Sequence, residues 1–198
     1  MSKLSIAALC GAVAFAAPAA AQEHGAHAAA DHSDHHSMSA PIVEAIAADI
    51  QEVEEKLVAL AEAIPDDRWT WRPAEGVRSI GEVFMHVAAD NYFIPVLAGA
   101  PAPAETGITN SYQTAVAYES RPMTKAQTIA AMRASFAHVQ GILDEIGHEE
   151  LMESYNFFGN QMNGVQVWVL AATHLHEHLG QSIAYARSNG IVPPWSRQ

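Results

Sequence analysis

Apolar residues recur every three or four positions over four long stretches of the chain, which predicts four amphipathic helices. The first is expected over 41–63, with Ser39 as its cap and Pro41 in its first turn. The second is expected over 79–99, where Ser79 and Glu82 have the spacing of a capping box. Acidic residues fill much of the polar face of the first helix, as in a surface helix of a globular protein.

The second half of the chain contains the other two predicted helices. The third is expected over 124–147, capped by Thr124, and the fourth over 164–189. Proline and glycine are frequent in 100–120, which is therefore predicted to be a loop. The aromatic segment 148–163 could form a short hairpin or an aromatic loop. The pattern predicts a single all-α domain over 41–198.

The first 21 residues have the features of a secretory signal peptide. Lys3 precedes an apolar run that is too short to span a bilayer, and small residues end at Ala21. Cleavage after Ala21 would remove Cys10, the only cysteine, and would leave no stable membrane anchor. We therefore expect a periplasmic or secreted protein that has no thiolate of its own to use as a ligand or nucleophile.

Residues 22–40 are predicted to be a flexible linker, because they contain almost nothing apolar larger than alanine. The segment is rich in histidine, which leaves two interpretations open: a solvated spacer, or a tail that collects metal. Its histidines are His24, His27, His32, His35 and His36. The net charge of the whole chain is −12 at pH 7, which argues against nucleic acid and anionic membrane surfaces as partners.

Three histidines outside this segment are candidate metal ligands. His174 and His178 are four residues apart on the fourth helix, so both imidazoles lie on one face. His86 lies on an otherwise apolar stripe of the second helix, where it is either a core residue or a third ligand. Three imidazoles with an open position would form a metal centre of the catalytic type. His176 lies at the border of the polar face and is expected to be partly solvated.

Several polar side chains lie one or two helical turns from these histidines. Asp90 could orient His86 or act as a base, whereas Glu82 is better explained by helix capping. Gln181 and Tyr185 follow His178 on the same face and are candidates for lining a pocket, although both could equally be packing residues.

Two segments resemble the DinB-like family. The first is Arg78–Ala88 (RSIGEVFMHVA), preceded by Trp71–Pro73, and the second is His174–Gln181 (HLHEHLGQ), followed by Tyr185. The resemblance covers roughly 41–196. It implies a four-helix bundle with one divalent metal bound between helices 2 and 4, and the family's three ligand positions fall on His86, His174 and His178.

The resemblance also implies a class of function. Relatives include thiol-dependent transferases that act on small molecules, so the chain is expected to be a metal-dependent hydrolase or transferase with a small-molecule substrate. Zinc or nickel is the first choice for the metal, and a homodimer is compatible with a bundle of this size. An exported protein would lack the cytoplasmic thiol supply, which weakens the transferase alternative. A non-catalytic metal-buffering protein and a purely structural bundle remain open as alternatives.

Overall fold

Four long helices form the body of the protein, which a computed structural model describes over residues 33–196, with side chains from Ser39 onward. The elements in chain order are α1 (Ser33–Ala63), α2 (Ile80–Leu97), α3 (Tyr112–Glu119), α4 (Lys125–Glu145), α5 (His148–Met152), β1 (Ser154–Phe157), β2 (Asn160–Asn163) and α6 (Gly164–Ser188). Each long helix packs against two others, in the cyclic order α1, α4, α2, α6. The predicted four-helix bundle is confirmed.

The start of α1 differs from the prediction. The helix begins at Ser33, so Pro41 lies inside it and Ser39 is not its cap. The hydroxyl of Ser39 instead forms a hydrogen bond of 2.6 Å with Nδ1 of His148 on α5. The predicted cap at Ser39 is therefore wrong, because this serine uses its hydroxyl for a tertiary contact and not for the start of a helix. The predicted signal peptide and positions 22–32 of the predicted linker lie outside the described residues.

Capping boxes fix where three of the long helices begin. The hydroxyl of Ser79 accepts a hydrogen bond from the Glu82 backbone N–H, and the Glu82 carboxylate accepts one from the Ser79 N–H at 2.6 Å. Thr124 caps α4 and Asn163 caps α6 in the same reciprocal way. The predicted caps at Ser79 and Thr124 are confirmed, and α2 and α6, the two helices that carry the candidate metal ligands, start at defined positions.

The connections contain more structure than the sequence indicated. The predicted loop 100–120 is wrong in part, because it includes α3 as well as a short 3-10 turn at Ala104–Thr106. In 148–163 the hairpin alternative is the one found: β1 and β2 pair antiparallel and follow the short helix α5. The hairpin turn is Phe158-Gly159, and both residues have positive φ.

Aromatic and aliphatic side chains from all four long helices fill the core. The largest fully buried ones include Trp168, Phe84, Phe136, Ile50, Leu57, Met132 and Leu175. Trp69 precedes α2 and stacks on Phe84 with ring centroids 5.4 Å apart. Its indole lies so close to Gly81 that a Cβ there would be 2.3 Å from Trp69 Nε1. Among the described residues, none of the helices combines the length and apolar character needed to cross a bilayer.

Candidate metal centre

The three histidines singled out from the sequence lie together between α2 and α6. His86 is buried, while His174 and His178 are partly buried. One ring nitrogen from each lies within 4.8 Å of the corresponding nitrogens of the other two. Ring centroids are 4.4 Å apart for His174 and His178, and 4.5 Å apart for His86 and His178. The helices thus bring His86 together with two residues that lie 88 and 92 positions later in the sequence.

A carboxylate and a guanidinium fix the orientation of His86. Its Nδ1 lies 3.0 Å from Oε2 of Glu119, and because a carboxylate can only accept, Nδ1 carries the proton. Arg78 donates to both oxygens of Glu119, through Nε at 2.5 Å and Nη2 at 3.2 Å. Burial alone would raise the pKa of Glu119, but hydrogen bonds and charge from His86 and Arg78 outweigh it and lower that pKa to about 2. Nε2 of His86 is therefore the nitrogen left to face the centre.

An amide and a phenol fix the orientation of His178 in a similar way. Its Nδ1 lies 2.9 Å from Oε1 of Gln181, whose NH2 group donates to the Tyr185 hydroxyl at 3.1 Å. Burial lowers the pKa of His178 to about 4, together with the neighbouring His174 and His86, and it outweighs the hydrogen bond that Nδ1 donates to Gln181 and the charge of Asp90, which raise that pKa. The imidazole is therefore neutral near pH 7. Of the two pocket candidates from the sequence, Gln181 is hydrogen-bonded to His178, and Tyr185 is hydrogen-bonded to Gln181.

Asp90 lies at the centre itself. Its Oδ2 is 2.8 Å from Nε2 of His174 and 3.3 Å from Nε2 of His86, and only 14% of its side chain is exposed. The sequence suggested that Asp90 could orient His86, and the structure places it against two of the three histidines. By the same rule as for His86, Nε2 of His174 carries the proton of its hydrogen bond to Asp90 in the metal-free protein, and a metal bound at that nitrogen would require its loss.

His176, which lies between His174 and His178 in the sequence, contacts α1 instead of the three-histidine cluster. His176 is half exposed, and its Nε2 lies 3.0 Å from both carboxylate oxygens of Asp49 on α1. It is not part of the three-histidine cluster, in agreement with its predicted place at the polar border.

Glu119 is the site residue that sequence reasoning missed. It is the last residue of α3, inside the segment predicted to be a loop, and 33 positions separate it from His86. Arg78 belonged to the motif that carried the family resemblance, but no local pattern indicated that it pairs with Glu119.

The donor set fits a divalent metal. Nε2 of His178 is buried and has no hydrogen-bond partner among the described residues, although a buried polar nitrogen normally has one. Neutral imidazole nitrogens are preferred ligands of zinc, nickel, copper and iron. A cation among the three histidines would give this nitrogen its partner.

Comparison with solved structures gives the same fold. A DinB-like protein from Bacillus subtilis, YjoA, superposes with a TM-score of 0.58 at 21% identity, covering 77% of this chain and 97% of its own. A DinB-like protein from Bacillus cereus gives a TM-score of 0.54 at 20% identity, covering 72% of this chain and 89% of its own. These identities are low, so the likeness concerns the fold.

A third similar structure is YfiT from Bacillus subtilis, described as a probable metal-dependent hydrolase with an unusual four-helix bundle topology. It superposes with a TM-score of 0.57 at 12% identity, covering 86% of this chain and 95% of its own. No curated protein matches the chain. The sequence profile of the DinB superfamily matches residues 49–182, a stretch that contains all three clustered histidines and Glu119. The chain therefore belongs to the DinB superfamily.

Proposed function

We propose that the protein is an exported metal-dependent enzyme that binds one divalent metal through His86, His174 and His178 and acts on a small molecule. The observation that carries the proposal is that one ring nitrogen from each of the three histidines lies within 4.8 Å of the other two, while Nε2 of His178 is buried and has no hydrogen-bond partner among the described residues. Zinc or nickel is the metal that we expect. The description of YfiT as a probable metal-dependent hydrolase supports hydrolysis as the first reaction class to test.

Each part of the site has a chemical role in this proposal. When bound, the metal supplies Lewis acidity, which activates a water or a thiol as nucleophile near neutral pH. The Oδ2 of Asp90 accepts the proton that such a nucleophile loses, since it lies beside the ligand nitrogens and is mostly shielded from solvent. Glu119 and Gln181 hold two of the imidazoles in the tautomer that directs Nε2 inward.

Hydrolysis and thiol transfer place different demands on the chain. The only cysteine is Cys10, inside the predicted signal peptide, so a thiol nucleophile would have to come from a cosubstrate. Water requires no cosubstrate, which favours the hydrolase for an exported protein. Parallel assays with ester or amide substrates and with added low-molecular-weight thiols separate the two classes.

Metal content tests the proposal most directly. The full chain, purified without a histidine tag, should retain about one metal per molecule, and replacing all three histidines with alanine should remove it. The matched control is His176→Ala on the same helix, because that side chain is half exposed and pairs with Asp49. Equal metal content in the triple variant and the control would refute the site.

The buffering alternative is separated by a second variant. Replacing the five histidines of residues 22–40 with alanine should leave the tightly bound metal unchanged if the bundle is the enzyme. Loss of most bound metal in that variant would instead favour a metal-buffering protein. A purely structural bundle would bind no metal at the cluster, and its melting temperature would not change with chelator.

Export is tested separately. Fractionation of cells that express the full chain should place the protein outside the cytoplasm, with a mature N-terminus at Gln22. A protein found in the cytoplasm that still begins at Met1 would contradict export. That result would leave the metal site unaffected.

A further inference from the structure

The turn of the hairpin contains a residue that its backbone conformation disfavours. Phe158 has φ of 51° and Gly159 has φ of 88°, and Phe157 pairs directly with Asn160, so the two residues form a tight turn of the type that favours Asn-Gly. A bulky residue in the left-handed region costs about 1–3 kcal/mol. The Phe158 side chain is also 63% exposed, so burial does little to offset this cost. Such an outlier suggests a role other than stability.

Phe158 belongs to a small group of aromatic rings, here called the aromatic patch and consisting of Phe93, Tyr112 and Phe158. Its ring centroid lies 6.1 Å from that of Phe93 on α2 and 6.3 Å from that of Tyr112 on α3, and the latter two are 6.1 Å apart. Phe93 is buried and in ring contact with the other two, and Tyr112 is 47% exposed. The patch thus offers two exposed rings supported by a third.

The aromatic patch and the candidate metal centre share helix α2, and α3 supplies both Tyr112 of the patch and Glu119 behind His86. On α2, Phe93 follows His86 by seven residues, and on α3, Tyr112 precedes Glu119 by seven. His86 is hydrogen-bonded to Glu119, and Phe93 is in ring contact with Tyr112. Two helical turns therefore separate the two contacts on both helices, a distance of about 10 Å.

Asp90 continues the same face of α2 from one contact to the other. Asp90 lies one helical turn before Phe93 and is hydrogen-bonded to His174 on α6. One face of α2 therefore carries His86, Asp90 and Phe93 in succession, and this helix packs against both α3 and α6.

We propose that the aromatic patch is the substrate subsite that binds an aromatic or flat apolar group of the small molecule whose polar end reaches the three histidines. This inference rests on the proposed function, and it names the substrate class: molecules with an oxygen or sulfur donor about 10 Å from an apolar ring. The patch is too small for a stable interface between two copies of the chain. Two exposed rings bury about 150–250 Å² each, whereas such an interface needs about 800 Å² on each side.

A series of hydroxamates tests the subsite, because the hydroxamate group binds metal directly while its tail can be varied. Acetohydroxamate measures access to the metal, and phenylalkyl hydroxamates with linkers of increasing length measure the subsite. In the metal-loaded wild type, the phenyl compound of best linker length should bind about 10–100-fold more tightly than acetohydroxamate, as expected for burial of one aromatic ring.

Phe158→Asn is the diagnostic variant, because Asn-Gly is the preferred sequence for this turn. We expect an unchanged or higher melting temperature, unchanged affinity for acetohydroxamate, and loss of most of the gain from the phenyl tail. Trp195→Ala is the matched control, since Trp195 is an exposed aromatic residue outside the patch, and it should keep the full gain.

Three results would overturn the subsite: no gain from any phenyl tail in the wild type, a gain that survives Phe158→Asn, or a marked fall in the melting temperature of that variant. The last would mean that the ring serves the fold. A dimeric wild type that becomes monomeric on Phe158→Asn in sedimentation would identify the patch as an interface and also overturn it. Failure of acetohydroxamate itself to bind would instead refute the proposed function, and the subsite with it.

Discussion

The substitution Glu119→Gln tests whether this carboxylate, at the end of α3, increases the metal affinity of the three-histidine site through its hydrogen bond to His86. It preserves the size of the side chain and an oxygen that can accept from His86 Nδ1, but it removes the charge that Arg78 binds through two nitrogens. The imidazole of His86 then loses a strong acceptor. Its tautomer and ring orientation become less well fixed, and its Nε2 becomes a weaker ligand.

The expected magnitude follows from this arrangement. Loss of a hydrogen-bond partner behind a metal-binding histidine lowers metal affinity by about 10–100-fold, equivalent to about 1.4–2.8 kcal/mol. The pKa of about 2 for Glu119 corresponds to about 3 kcal/mol in favour of its charged form. We expect Glu119→Gln to lower the free energy of unfolding of the metal-free protein by less, about 2 kcal/mol, because the Arg78 side chain is 38% exposed and regains water.

Metal affinity is measured by competition with a chromophoric chelator, and stability by urea unfolding of the metal-free protein. Glu55→Gln is the matched control, since Glu55 is exposed on α1 and should change neither quantity. If Glu119→Gln and Glu55→Gln bind metal with equal affinity, the carboxylate does not act on the ligand. A loss of stability with no loss of affinity would give Glu119 a purely structural role.

Two further predictions concern pH and helix packing. Because the pKa of His178 is lowered to about 4, the unfolded chain binds more protons than the folded one between pH 4 and about 6.5, so the metal-free protein should lose stability as pH falls through this window. His178 contributes at most about 1.4 kcal/mol per pH unit to the slope of the unfolding free energy against pH. The slope is measured by urea unfolding over a pH series. If His178→Gln keeps the wild-type slope, the assignment to His178 is wrong. Gly81→Ala should destabilise the protein by about 1–3 kcal/mol, because its Cβ would meet the Trp69 ring, whereas exposed Gly180→Ala should stabilise it by up to about 1 kcal/mol. The packing explanation fails if urea unfolding shows both glycine variants to be equally stable.

The three histidines could be identified from the sequence because the signals that point to them, helical spacing and helix caps, lie within short stretches of the chain. His174 and His178 share a helix face by spacing alone, and the cap at Ser79 sets the helix that carries His86. The prediction that α2 and α6 pack against each other came from the family resemblance, and the structure confirms it.

Glu119 could not be found in this way. Its helix has only eight residues and no side-chain cap, and prolines and a glycine precede it, so local signals favour a loop. A helix of this length is held by its contacts with α2, which no local window of sequence contains. The aromatic patch could not be predicted from local sequence either, because its rings come from three separate elements.

The capping boxes at the starts of α2 and α6 have a consequence for how the family can vary in length. One extra residue between Ser79 and His86, or between Asn163 and His174, would turn the histidine by about 100° around its helix and out of the cluster. Extra residues before the caps would enter the connections instead and leave both imidazoles in place. Insertions and deletions in relatives that keep the site should therefore lie outside the intervals 79–86 and 163–178.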